Sequence, residues 1–314
     1  MRNRTVGAAG RSILSLGVLA AGLSAQPQPA TQVDGRSAGQ LLRRSYTSTV
    51  TGQERDYFVY LPKGYETERG RLWPVILFLH GGGERGNGKD ELDRVLKHGP
   101  LKEAWVKGRD LPFLIISPQM PPLEPELRRA RQEARSKRPP GPRKAPRMSR
   151  EPTGVEPPWG DEGPPQGWWV YEKDVLNMVD RTLAEFRADP DRVYVTGLSY
   201  GGYGTFHFAA AFPYRWAAVA PVCGAGNPKT VARIAEAKLP IWIFAGGRDR
   251  VVRPEWILRS AVQLQEAGHP EVRFTVHEDQ AHSVWNRVYE GWDLYNWFLQ
   301  HRRKRAPEAP SGSQ

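Results

Sequence analysis

The sequence predicts a mainly parallel, doubly wound α/β sheet. Three observations predict it. Short apolar runs such as "PVILFLH" (Pro74–His80) and "PFLIISP" (Pro112–Pro118) lack alternating polar residues, as strands covered on both faces require. Stretches with helical spacing fall between such runs, and this alternation builds parallel sheets flanked by helices. The stretch "VYVTGLSYGGYGTF" (Val193–Phe206) passes from strand to helix through one serine at a tight corner.

Taken in chain order, residues 1–25 read as a secretory signal peptide. Arg2, Arg4 and Arg11 form a basic start, Ile13–Leu23 an apolar stretch too short to span a bilayer, and Ser24-Ala25 a small-residue cleavage point. Residues 26–42 are expected to be a linker. "YTSTVT" (Tyr46–Thr51) and "RDYFVYLP" (Arg55–Pro62) flank a Gly-Gln turn and predict a hairpin. The two apolar runs follow as strands. Residues 119–167, rich in Pro, Arg, Lys and Glu, predict a disordered insertion, because so long a structureless run does not belong in a core. "WVYEKDVLNMVDRTLAEF" (Trp169–Phe186) has apolar residues at helical spacing. "DRVYVTG", "WAAVAPVCG", "PIWIFAGG" and "EVRFTVHE" predict further strands, with helices around Pro254–Ala267 and Val284–His301. A catalytic domain is expected over 43–301 and a disordered basic tail over 302–314.

The net charge of +11 suggests a nucleic-acid partner until its distribution is read. Residues 1–11 carry +3, residues 124–151 carry +6 and residues 302–308 carry +3, which leaves the remaining chain near neutral. The charge belongs to a leader, a loop and a tail, so neither a nucleic-acid nor a membrane partner is expected. The single cysteine, Cys223, excludes an internal disulfide.

Chemistry is expected at the corner. Gly197-Leu198-Ser199-Tyr200-Gly201 fits G-x-S-x-G, in which a strained turn exposes the serine hydroxyl. An α/β protein could use the same residues merely to leave a strand and cap a helix, so the partners decide. A serine nucleophile needs a base, and the base needs an orienting acid. Asp249 follows the strand "PIWIFAGG", and His282 lies between the last strand and the last helix. Both stand at the C-terminal edge of the sheet, where Ser199 stands. Of the seven histidines, His282 alone has the chain order and the location; His80 ends a strand but precedes the serine. Asp279 is the alternative acid, awkwardly three residues before His282. The glycine-rich "LFLHGGGERG" (Leu77–Gly86) would supply oxyanion donors, from Gly82 or Gly83, beside the N–H of Tyr200. Gly83–Lys89 matches a phosphate loop, but Asp90 stands where a hydroxyl residue would ligate magnesium, so nucleotide hydrolysis is not expected. No metal motif and no cofactor motif occurs.

"FLHGGGERG", "RVYVTGLSYGGYGTFHFAAAFPYRWAAVAPVCGAG", "IFAGGRDRVV" and "DQAHSVW" together resemble the secreted bacterial α/β-hydrolase esterases related to feruloyl and polyhydroxybutyrate esterases. These are often labelled phospholipase/carboxylesterase or predicted peptidase, and they resemble the catalytic domain of prolyl oligopeptidase. The resemblance runs from about Arg43 to His301 apart from the insertion. It implies an α/β-hydrolase fold, Ser199 as nucleophile, His282 as base, Asp249 as acid and Gly81–Gly83 as the oxyanion loop. Tyr200 departs from it, since many relatives have methionine there. The insertion after "SPQMP" departs too, since relatives pass quickly to a pair like Trp168-Trp169. The expected activity is hydrolysis of a small or polymer-linked ester by a secreted or periplasmic enzyme. A serine peptidase and a non-catalytic polysaccharide binder are the alternatives.

Overall fold

The computed structural model describes residues 38–136 and 163–304. The expected signal peptide and most of the expected linker lie outside them. In chain order the elements are β1 (Gln40–Thr47), β2 (Glu54–Leu61), β3 (Trp73–Leu79), α1 (Gly99–Leu101) running into a π-helical turn (Lys102–Val106), β4 (Leu114–Ser117), α2 (Pro125–Ser136) and α3 (Glu172–Glu185). Then come β5 (Ala188–Leu198), α4 (Tyr200–Ala211), β6 (Ala218–Val222), α5 (Pro228–Ala237), β7 (Ile241–Gly246), α6 (Pro254–Glu266), β8 (Val272–His277), α7 (Trp285–Glu290) and α8 (Asp293–Leu299).

The strands form one eight-stranded sheet in the order β1-β2-β4-β3-β5-β6-β7-β8. β1 and β2 pair antiparallel, as do β2 and β4, and every other neighbour pair is parallel. The apolar runs become the central strands for a simple reason. Successive side chains of a strand point to opposite faces, so a strand covered on both faces needs apolar residues throughout. In β3, Val75, Leu77 and Leu79 join the core under α3, α4, α5 and α6, while Ile76 and Phe78 join the core under α1, α7 and α8. β5 divides likewise, with Val193 and Val195 on one side and Tyr194 on the other.

Several boundaries differ from the sequence expectation. β1 begins at Gln40, inside the expected linker, and pairs Tyr46 with Arg55. The residues Ser48–Gly52 make the turn, where the Ser48 hydroxyl accepts from Val50 and Thr51 and Gly52 takes a φ of 67°. As an edge strand, β1 alternates in burial and shows no continuous apolar signal. The helix expected over Val284–His301 is two helices, because the chain becomes extended at Gly291. α5 lies where no helix was expected; Asn227 and Thr230 close a reciprocal capping box at its start.

The described ends of the expected insertion and tail are held to the domain. Gln119 and Met120 are buried, 2% and 1% exposed, although they were counted in the insertion. Residues 125–136 form α2, and Gln166 accepts a hydrogen bond through its carbonyl from Arg85. Residues 137–162 lie outside the described residues. Composition misled here: a buried Gln followed by Met and prolines looks like the start of a polar run, although the side chains face inward. Likewise Arg302 and Arg303 pair with Asp189 and Asp191, so the tail expected from 302 is held to the domain at its start. Residues 305–314 lie outside the described residues.

Candidate active site

Ser199 ends β5 and caps α4, and its backbone takes φ 54° and ψ −115°. A non-glycine residue in that region costs about 1–3 kcal/mol and persists only when its surroundings impose it. Here they do. The Ser199 N–H donates to Val222 O at 2.9 Å and Tyr203 N–H donates to Ser199 O at 3.1 Å. The flanking glycines are required by close backbone approach. A Cβ on Gly197 would stand 2.4 Å from Gly201 O, and one on Gly201 would stand 1.8 Å from Leu79 O. The helix start is thus pressed against the end of β3, and the serine is pushed clear of the sheet.

The strand ends β7 and β8 bring the partners. Gly247 N–H donates to His277 O and Arg248 N–H to Gln280 O, both at 2.9 Å, zipping the two following loops together. Gly246 is crossed so closely that a Cβ there would meet Ala281 O at 2.3 Å. This zipper sets Asp249 against His282. His282 Nδ1 lies 2.7 Å from Asp249 Oδ2, and His282 Nε2 lies 3.0 Å from Ser199 Oγ. The other oxygen, Asp249 Oδ1, accepts from the amides of Val251 and Val252 at 2.7 and 3.0 Å. The Asp249 side chain is 0% exposed and the His282 side chain 21%. The arrangement fixes the imidazole tautomer: Nδ1–H donates to the acid, which leaves Nε2 to accept the serine proton. Asp279, the alternative acid, is instead held in a bidentate pair with Arg287, at 2.7 Å on each oxygen, and that guanidinium pulls its carboxyl well below the usual range.

Gly81 begins the glycine loop and touches the elbow, since a Cβ there would stand 2.7 Å from Leu198 Cδ1. Gly82 is half-buried beside it, whereas Gly83 is exposed with open space around it. Tyr200 is buried and opens α4, so its N–H has no acceptor inside the helix. Among the sequence candidates, Ser199, Asp249 and His282 come together, Tyr200 follows Ser199 in the chain, and the glycine loop that carries Gly82 and Gly83 meets the elbow through Gly81. Lys89 of the phosphate-loop match is occupied by Glu54 at 2.6 Å and Asp56 at 2.9 Å.

Sequence reasoning missed the residues that hold the loop. His80, set aside on chain order, is fully buried; Nδ1–H donates to Gly81 O at 2.6 Å and Nε2 accepts from Met120 N–H at 2.9 Å. Burial keeps this ring neutral, with a pKa lowered to about 3. Trp168 packs edge-on against it at 4.9 Å and donates from Nε1 to His80 O. Gln119 Nε2 donates to Glu84 O and Glu91 O, and its Oε1 accepts from Gly88 N–H. Arg55, 1% exposed, donates to the carbonyls of Gly86, Asn87 and Gln119. Arg85 donates to Pro121 O and Gln166 O and lies 5.1 Å over the Tyr200 ring, tying both ends of the 122–165 stretch to the corner at Ser199. A polar residue directly after an apolar strand end was the one available signal.

Comparison with known proteins agrees with this architecture. A model of the dienelactone hydrolase family matches residues 166–302, which include Ser199, Asp249 and His282. Poly(3-hydroxyalkanoate) depolymerase C of Paucimonas lemoignei is 46% identical over 50 residues, which are 16% of this chain and 12% of that protein. Among solved structures, a thermostable esterase superposes with a TM-score of 0.56 at 27% identity, covering 84% of this chain and 63% of that one. A ferulic acid esterase gives 0.54 at 16% identity, covering 83% of this chain and 100% of that one. The acylaminoacyl peptidase of Pyrococcus horikoshii gives 0.52 at 17% identity, covering 86% of this chain and 43% of that one. The last two likenesses are of fold alone. The chain thus has the α/β-hydrolase fold, and it spans only part of the length of the depolymerase and of the thermostable esterase.

Proposed function

We propose that this chain, an α/β hydrolase by fold, is a serine hydrolase that cleaves carboxylic esters through an acyl-enzyme. The observation that carries the proposal is the unbroken line from Ser199 Oγ through His282 to Asp249, at 3.0 and 2.7 Å, with the serine held in a strained corner. A structural serine cap needs neither the strain nor the two partners.

In the proposed mechanism His282 Nε2 takes the proton of Ser199 as Oγ attacks the ester carbonyl carbon. Asp249 keeps Nδ1–H oriented and stabilises the imidazolium. The carbonyl oxygen becomes an oxyanion, bound by the N–H groups of Tyr200 and Gly82. Collapse breaks the bond to the alkoxy group, which leaves with the proton from Nε2. Water, deprotonated by His282, then repeats the sequence on the acyl-enzyme and releases the acid. The approach of Gly81 to Leu198, next to Ser199, supports the glycine loop as the source of the second donor. The proposal puts the enzyme outside the cytoplasm, on the leader pattern of residues 1–25 alone.

The test is a substrate panel of p-nitrophenyl, feruloyl and acetyl-xylan esters beside aminoacyl p-nitroanilides. Turnover of esters that Ser199→Ala abolishes is expected. Preferential turnover of the anilides would replace the esterase reading by the peptidase one. No turnover of either class would favour the polysaccharide-binding reading.

A further inference from the structure

Glu84 follows the three glycines of the loop, yet its carboxyl is withdrawn from solvent, at 7% side-chain exposure. Burying a carboxyl is costly unless it is paired or hydrogen-bonded. Oε2 has no hydrogen-bond partner among the described residues and stands 3.1 Å from the place of a Cβ on Gly81. Oε1 is 3.8 Å from His98 Nε2. Burial pushes its pKa up. Behind it stands a row of rings. His98 packs against Trp285 at 5.3 Å, and Trp285 packs edge-on against the catalytic imidazole of His282 at 5.2 Å. Thus one wall runs from the glycine loop to the base.

The fastening of the loop is uneven. From Glu84 to Gly88 its carbonyls and amides are gripped by Gln119, Arg55 and Arg94. From Gly81 to Gly83 the only side-chain hydrogen bond among the described residues is that of His80 to Gly81 O. The Glu84 side chain fills the hollow that glycine leaves at Gly81, where Leu198 Cδ1 closes the other side.

We infer that Glu84 is a positioning residue, whose carboxyl reaches back to Gly81 and holds the Gly81–Gly83 turn at its working distance from the nucleophile corner. The inference rests on the reading of this site as an acyl-transfer centre. What it requires of Glu84 is the length that brings its terminal oxygen against Gly81, not negative charge, because a carboxylate beside a developing oxyanion would oppose it.

Two mild substitutions separate these properties. Glu84→Gln keeps the length and one acceptor but removes the charge. Glu84→Asp keeps the charge but falls one methylene short. With a p-nitrophenyl ester, Glu84→Gln is expected to keep kcat within about threefold. Glu84→Asp is expected to lower kcat by about 10- to 100-fold with KM little changed, as a displaced oxyanion donor would. Fluorophosphonate labelling of Ser199 should slow in step, and melting curves at the assay temperature check that both variants are folded. If Glu84→Asp keeps its kcat, or Glu84→Gln loses it, or the loss appears in KM, the inference is overturned. Ser199→Ala, assayed alongside, separates the two levels. If it is inactive while Glu84→Asp is normal, only this inference fails; if it is active, the reading of the site fails.

Discussion

Replacing Gly201 by alanine puts a methyl group in place of one hydrogen at the most crowded place in the elbow. The new Cβ would stand 1.8 Å from Leu79 O, 2.5 Å from Leu79 C and 2.9 Å from His80 O. An ordinary carbon–oxygen contact is about 3.5 Å, so the first of these is short by more than about 1.5 Å. The atoms met are backbone at the end of a central strand, flanked by β4 and β5, and they cannot rotate away. The start of α4 must therefore retreat from β3. That movement carries Ser199 and the Tyr200 N–H away from the glycine loop, which follows directly on the residues struck. A shift of about 1 Å in a reacting group costs about 100-fold, and overpacking costs about 1–3 kcal/mol of stability. Gly201→Ala is thus expected to lower kcat on a p-nitrophenyl ester by about 100-fold or more while the fold survives. Gly70→Ala, where a Cβ meets nothing within 4 Å, serves as the control and should behave as wild type. Turnover and thermal melting of both variants decide the matter. A Gly201→Ala enzyme within about threefold of wild type would refute the argument that contact with β3 fixes the nucleophile.

Acid should destabilise the protein through His80. Its folded pKa is about 3 against an ordinary 6.5, so between these values the unfolded chain binds the proton and the folded one refuses it. Stability is then fully present above about pH 6.5 and declines as the pH falls. At about pH 5 the loss is about 2 kcal/mol from this residue; His98, lowered to about 4, acts in the same direction. Urea midpoints from pH 7 to pH 5 should fall more steeply for wild type than for His80→Asn, and equal slopes would contradict the assignment. Gln119→Ala removes three hydrogen bonds to loop backbone, two of them to carbonyls, and should cost about 2–4 kcal/mol, seen as a melting point lower by several degrees. An unchanged melting point would return Gln119 to the solvated insertion its composition suggested.

The legible part of this protein was the part governed by periodicity. β3, Leu114–Ile116 of β4 and Val193–Val195 of β5 are buried on both faces, so these runs are apolar throughout, and α3 and α6 carry the stripe that faces the sheet. The meeting of Ser199, Asp249 and His282 was legible because each follows a strand, and the parallel order of those strands puts their ends on one edge. What stayed hidden depends on contacts between distant segments. Nothing local marks His80 as the holder of Gly81, since its partner is the amide of Met120, 40 residues away. Arg85 looks like one more surface charge until Pro121 and Gln166 approach it. The break at Gly291 and the Asn227–Thr230 cap were readable signals that a coarse periodic reading passes over.

The central claim is that His282, oriented by Asp249, activates Ser199, and covalent labelling tests it most directly. A fluorophosphonate probe is added to the wild-type protein and to His282→Ala, and the modified residue is located by peptide mass spectrometry while the rate is followed. Wild type should carry the label on Ser199, and His282→Ala should acquire it more slowly by about 100-fold or more. Equal rates in the two proteins, or a label on another residue, would contradict the account.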